Sequence, residues 1–240
     1  MNYQSILQLK RIGLSTFFTL FILQLFYFSP ARATTGDVQL WTNITAMGPI
    51  NKQHRAIRYW LDIQDRIGEN VSQLSQLVLR PGIGYELTPT TTIWLGYARI
   101  YTAQPFVSQS VEENRIWQQL LWSKKYTRFR LTARSRLEER FIQSTVHMAW
   151  RYRQLFKTNI FVPRHPKYQG VITEEAFFHL NDFNLQSNQG FDQNRLFVGL
   201  GYKTSKNSTI EIGYLNQFIK RVNNPNYSGD YLSFALLLTE

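Results

Sequence analysis

TRFRLTARSRLEERF, residues Thr127 to Phe141, alternates two kinds of side chain almost without interruption. Arg128, Arg130, Thr132, Arg134, Arg136, Glu138 and Arg140 fall on one parity, and Phe129, Leu131, Ala133, Ser135, Leu137 and Phe141 on the other. Only Glu139 departs from the pattern. Successive side chains of a strand point to opposite faces, so the stretch presents one charged wall and one mostly apolar wall. A helix would scatter the same arginines around its circumference. The stretch therefore reads as a strand, and a long one against a usual strand of about 5–6 residues.

The same two-faced pattern recurs on both sides. Upstream it runs through Asp37–Thr45, His54–Arg66, Ser72–Leu87, Ile93–Tyr101 and Asn114–Ser123. Downstream it runs through Val146–Lys157, Ile172–Asn181, Asp192–Lys203, Ile210–Phe218 and Tyr231–Thr239. In His54–Arg66, for instance, Ile57, Tyr59, Leu61 and Ile63 oppose Arg58, Trp60, Asp62, Gln64 and Arg66. The facing of Ile93–Tyr101 stays open, because both of its parities are aromatic or small. The piece from about Asn159 to Gly170, with Pro163 and Pro166, reads as irregular, since proline cannot donate to a ladder.

Strands apolar on one face and polar or glycine-bearing on the other are the signature of an outer-membrane barrel. In lipid every backbone group needs a partner, so the sheet must close. The expected fold is an all-β, antiparallel transmembrane barrel of 10–12 strands. Eleven segments can be counted, but single-chain bacterial barrels have even numbers. The short turns at Thr88–Thr90, Lys124–Tyr126 and Thr204–Asn207 alternate regularly and read as periplasmic, which leaves Asp37–Thr45 as the odd segment and both ten and twelve open.

The N-terminus reads as a secretory signal: Lys10 and Arg11 precede an apolar stretch from Ile12 to Phe28, and Ala31-Arg32-Ala33 offers small residues for cleavage after Ala33. An uncleaved anchor is the alternative. The expected organisation is a signal peptide at 1–33 and a single barrel domain at 34–240. Removing the signal takes Lys10, Arg11 and Arg32 and no acid, so the formal charge of +11 stays strongly positive. The chain has no cysteine, which excludes a disulfide scaffold, thiolate metal sites and cysteine nucleophiles.

Several pieces together resemble a known family: Trp41-Thr42-Asn43, RPGIGYELTP (Arg80 to Pro89), WLGYAR (Trp94 to Arg99), RIWQQLLW (Arg115 to Trp122), RSRLEERF (Arg134 to Phe141), QNRLFVGLGYK (Gln193 to Lys203) and EIGYLNQF (Glu211 to Phe218). They are similar to the DUF2490 family of exported, outer-membrane-barrel-like proteins of unknown function. The resemblance spans nearly the whole exported chain and implies a fold, not an activity. Many outer-membrane proteins end in an aromatic residue, whereas this chain ends Leu238-Thr239-Glu240.

Chemistry-bearing constellations are few. The histidines are His54, His147, His165 and His179, and none shares a strand face with a serine and an orienting acid. Glu138-Glu139 and Glu174-Glu175 cannot converge, because strand neighbours point apart. No His/Asp/Glu cluster has ligand spacing and no cofactor fingerprint appears, so neither metal nor cofactor is expected. Gly82-x-Gly84 and Gly199-x-Gly201 read as strand glycines that relieve crowding inside a small barrel.

The expected lumen lining, and candidate anion contact, is Arg115, Arg128, Arg130, Arg134, Arg136, Glu138, Arg140, Arg151, Arg153, Glu175, Arg195 and Glu211. The arginines alternate with apolar residues inside strands, which points away from nucleic acid. Small anions, outer-membrane lipid, lipopolysaccharide and the barrel assembly machinery are the expected partners. The reading is a structural or weakly pore-forming protein of the Gram-negative outer membrane. The alternatives are a barrel enzyme acting on outer-membrane lipid, as a lipase or lipid A deacylase does, and a soluble periplasmic ligand-binding barrel.

Overall fold

The computed structural model describes residues 39–240 apart from 52, 54, 69–72, 105, 144, 184–188 and 223–224. The expected signal segment and His54 lie outside the described residues. Among those described, eleven strands form: β1 (Gln39–Pro49), β2 (Ile57–Gly68), β3 (Gln73–Thr88), β4 (Thr91–Thr102), β5 (Val111–Lys125) and β6 (Phe129–Ile142). The remainder are β7 (Ala149–Phe161), β8 (Tyr168–His179), β9 (Gly190–Lys203), β10 (Ser208–Ile219) and β11 (Tyr227–Thr239). Each pairs with its sequence neighbours in antiparallel register, and β1 pairs with β11 to close the barrel.

The expectation of an even number is corrected by that last pairing. With eleven strands the first and last run in the same direction, and the ladder joining them is parallel, with Gln39 opposite Tyr231 and Met47 opposite Thr239. The segment that threading leaves over is the one that makes this seam. A parallel ladder has slanted, evenly spaced hydrogen bonds but leaves no free edge, which is what closure requires.

The ladder also runs further than the prolines suggest. β7 continues to Phe161 and β8 starts at Tyr168, so only residues 162–167 are irregular. There Arg164 adopts a positive φ of 64°, and Tyr168 N donates to His165 O at 3.0 Å. Pro163 and Pro166 fall inside this turn, where no ladder donor is needed.

Connections 50–56, 89–90, 126–128, 162–167 and 204–207 share one rim, on which β1 and β11 end. β2, β4, β6, β8 and β10 end on the other rim, the wide rim, where the sequence between strands is mostly longer.

The facing of β4 is settled by packing. Trp94, Ala98 and Ile100 turn inward to join Trp60, Val78 and Trp117 in a buried cluster, while Ile93, Leu95, Tyr97 and Tyr101 are exposed on the outer face. The indoles fit because glycines face them. A Cβ on Gly96 would stand 2.3 Å from Trp117 and 2.4 Å from the carbonyl oxygen of Pro81, and one on Gly84 would stand 2.5 Å from Trp94. Trp60 packs edge-on against Trp94 at 5.3 Å and Trp117 at 6.2 Å, a favoured aromatic geometry. One side of the lumen is thus filled with apolar bulk.

Candidate functional site

The other side of the lumen is filled with charge. β6 and β7 are neighbours in a register that sets Arg136 opposite Arg153 and Glu138 opposite Arg151, so two arginine-bearing strands face inward side by side. Like charges so placed need carboxylates among them.

Glu138 is the centre. Fully buried, it accepts from Arg151 Nη2 at 2.7 Å and Nε at 3.0 Å and from Arg153 Nη1 at 2.6 Å, with Arg115 at 3.6 Å and Arg136 at 3.9 Å. Glu175 on β8 continues the lattice. It accepts from Arg134 Nη2 at 2.7 Å and Arg153 Nε at 2.9 Å, with Arg195 at 3.9 Å. Glu113 on β5 holds Arg140, whose Nε donates at 2.6 Å and Nη2 at 3.0 Å, together with Arg115. Charge-assisted forks of this kind are the strong hydrogen bonds of a low-dielectric interior.

Three further carboxylates surround this centre. Asp62 takes Arg80, Glu211 takes Lys157 Nζ at 2.6 Å, and Asp192 takes Arg151 at 3.4 Å and His179 at 3.2 Å. Arg136 stacks over Trp117 at 4.6 Å and donates to Gln119 Oε1 at 2.6 Å and 2.9 Å, joining the charged side to the aromatic side. Arg153 and Arg195 lie over Phe177 at 4.5 Å and 4.4 Å.

The lattice divides the interior. A cavity of about 390 Å³ on the short-turn side is lined by Arg130, Arg134, Lys157, Lys203 and Glu211 among others. A larger one of about 1020 Å³ opens toward the wide rim and is lined by Arg66, Arg80, Arg115, Arg140 and Arg151 among others. Gln64, Arg153 and Arg195 line both.

Of the expected lining, Arg115, Arg134, Arg136, Glu138, Arg140, Arg151, Arg153, Glu175 and Arg195 meet in this lattice, and Glu211 sits in the short-turn cavity. Arg130 is exposed near the rim. Arg128 is not on the wall: it lies in the turn before β6, exposed, where its carbonyl accepts from Phe161 N. The parity was right, but the strand begins one residue later.

Glu139 and Glu174 face outward as the alternation requires, bonded to Gln118 and Asn194. His147 lies exposed in the connection before β7. His179 has Asp192 beside it but hydrogen-bonds no serine or threonine hydroxyl among the described residues.

Glu113 escaped the sequence reading because β5 begins at Val111, ahead of the expected Asn114. Asp192 escaped because a bulge beside Phe177 and Phe178 turns it inward off parity. Arg66 and Arg80 lay on recognised inward faces, but the density of arginines on β6 drew attention from them.

The fold and site define a closed, eleven-stranded barrel whose lumen is cross-linked by arginine–carboxylate pairs. The chain belongs to the DUF2490 family, described as a protein of unknown function, which it matches over residues 38–228. An uncharacterized protein of Methylorubrum extorquens is 32% identical over 187 residues, covering 75% of this chain and 78% of its own. Among solved structures, the outer membrane channel DcaP of Acinetobacter baumannii superposes with a TM-score of 0.36 at 10% identity, over 81% of this chain and 92% of that one. The siderophore receptor PirA of Pseudomonas aeruginosa does so with a TM-score of 0.30 at 12% identity, over 84% of this chain and 40% of that one. Both correspondences are loose.

Proposed function

We propose that the protein resides in the bacterial outer membrane as a barrel whose lumen is braced at mid-height by the ion-pair lattice, structural or only weakly conducting. One observation carries this reading: every strand exposes a large apolar side chain on its outer face. Ile44, Leu61, Leu79, Leu95, Ile116 and Phe129 do so on β1 to β6, and Ile160, Ile172, Leu200, Ile212 and Leu232 on β7 to β11. An apolar belt around the full perimeter far exceeds what a soluble monomer shows and suits hydrocarbon, while the charges are turned inward.

The signal-like N-terminus supports export. The wider rim, with its longer connections, then faces outside, as in bacterial barrels generally. Lipopolysaccharide and membrane lipid contact the apolar belt in this reading, the assembly machinery inserts the barrel, and small anions are the solutes the lumen favours. The lipid-acting enzyme has less support, because no serine or threonine hydroxyl among the described residues hydrogen-bonds His179 beside Asp192. Membrane fractionation with heat-modifiable migration on gels tests residence, and conductance of the refolded protein in a planar bilayer tests the lumen. A soluble fraction that migrates identically with and without heating overturns the membrane reading.

A further inference from the structure

The wide-rim cavity carries a charge imbalance that the lattice does not cancel. Nine arginines and lysines line it against two carboxylates, Glu113 and Asp192. Most of these cations are committed: Arg115 and Arg140 to Glu113, Arg151 and Arg153 to Glu138, Arg80 to Asp62. Arg66 and Arg195 are not.

Arg66 is buried and ion-pairs with no carboxylate among the described residues; its Nη1 donates to the neutral Gln217 at 3.1 Å. Arg195 reaches Glu175 only at 3.9 Å, and its buried Nε has no acceptor among the described residues. Both guanidinium groups lie over the ring of Trp41, at 3.6 Å and 4.8 Å from its centroid, so the indole holds two like charges together. Lys220 and Arg221, which follow β10 on the wide rim, also line the cavity and ion-pair with no carboxylate among the described residues. Arg66 thus stands two residues before the wide-rim end of β2, whereas Arg195 lines both cavities where they meet.

Two neighbouring guanidinium groups with only one carboxylate between them, and that at 3.9 Å, are costly to bury, and guanidinium forks match carboxylate and phosphate oxygens in pairs. A chamber of about 1020 Å³ is of the size that takes a small molecule. We propose that this chamber is a binding site for a small soluble ligand bearing two or more phosphate or carboxylate charges, gripped by Arg66 and Arg195 and drawn in by Lys220 and Arg221 at the mouth. The proposal rests on the membrane reading only for the side from which the ligand enters.

The test is calorimetric titration of the full exported chain, folded in detergent, with pyrophosphate and with citrate, using acetate as the singly charged control. The expected result is saturable binding of one or both polyanions, with acetate at least tenfold weaker. Arg66→Gln and Arg195→Gln should each weaken binding at least tenfold. Arg58→Gln, which breaks a pair with Glu86 at the opposite rim, should leave it unchanged. Variants are compared only if they keep heat-modifiable migration. Should both of these variants misfold, Lys220→Gln with Arg221→Gln, at an exposed and a half-buried position after β10, is expected to weaken binding severalfold at low salt, and unchanged binding there overturns the proposal.

Absence of saturable binding to a folded barrel overturns the proposal, as does wild-type affinity in a folded Arg66→Gln or Arg195→Gln variant. Displacement of pyrophosphate by lipopolysaccharide micelles but not by citrate would overturn the soluble source and assign the same phosphate chemistry to a lipid headgroup. A membrane-resident barrel that binds neither probe sinks this inference alone, whereas a soluble protein that binds sinks the membrane reading alone.

Discussion

Glu138 and Arg136 are neighbours on one face of β6, both fully buried, and their substitutions should have opposite weight. Glu138 holds Arg151 and Arg153 directly and stands near Arg115 and Arg136. Glu138→Gln leaves these buried cations without their shared anion, and breaking a buried pair from one side costs about 3–5 kcal/mol. Arg136 is surrounded mostly by its own sign, Arg80, Arg134 and Arg153, and its nearest carboxylate contact is 3.9 Å. Replacing a buried ion with an apolar side chain of similar volume is often neutral or stabilising. Arg136→Met should therefore change the unfolding free energy, measured for both variants by urea titration, by less than about 1 kcal/mol. Equal losses in the two variants would show that Arg136, like Glu138, is a hub of the lattice.

At the scale of elements, the glycines and the outer rows give contrasting expectations. A Cβ on Gly96 meets Trp117 and the Pro81 carbonyl oxygen, so Gly96→Ala should lower stability by about 1–3 kcal/mol through overpacking. Gly170 faces outward, where a Cβ would find only Ile160 at 3.9 Å, and Gly170→Ala should stay within about 0.5 kcal/mol. On β11, Leu232, Phe234, Leu236 and Leu238 occupy the outer face, while Ser233 lines the short-turn cavity. Leu236→Arg places a charge in the apolar belt at about 2–4 kcal/mol, so its folded yield in liposomes should fall well below that of Ser233→Arg. Equal yields would reject the assigned facing. These elements also show what the sequence could convey. Alternation reports facing wherever the two walls differ in polarity, so β2, β6 and β10 were readable from pattern alone. It fails on β4, where both parities are apolar or small and only the Trp60 and Trp117 contacts decide. It fails again at Asp192, because a bulge breaks the period that the reading depends on. That Glu138 and Glu175 balance wall arginines follows from their parity, but which arginine meets which carboxylate does not, since pairs such as Arg134 and Glu175 join residues far apart in sequence through the register of several strands.

For the whole molecule, closure and conduction are the properties to test. If β1 and β11 close in parallel, a cysteine pair at Ala46 and Leu238, directly opposite in register, should oxidise to a disulfide, and a pair at Ala46 and Leu237 on opposite faces should not. The chain has no native cysteine, so non-reducing gels report the cross-link without background. Conduction follows from the balance of charge. The lattice places Arg115, Arg134, Arg136, Arg140, Arg151, Arg153 and Arg195 around Glu113, Glu138 and Glu175, so cations remain in excess after every pair is made. Any ion that passes between the two cavities must pass Arg153 and Arg195, which line both. Wild-type conductance should therefore be small, and its reversal potential in a salt gradient should lie on the anion side. Arg134→Ala with Arg136→Ala removes two cations while Arg153 still holds Glu175 and Glu138, so the barrel should persist and the reversal potential should move toward cations. A cation-selective wild type would overturn the electrostatic assignment. Silence from both proteins, each shown by heat-modifiable migration to be folded, would identify the lattice as a seal and the barrel as structural.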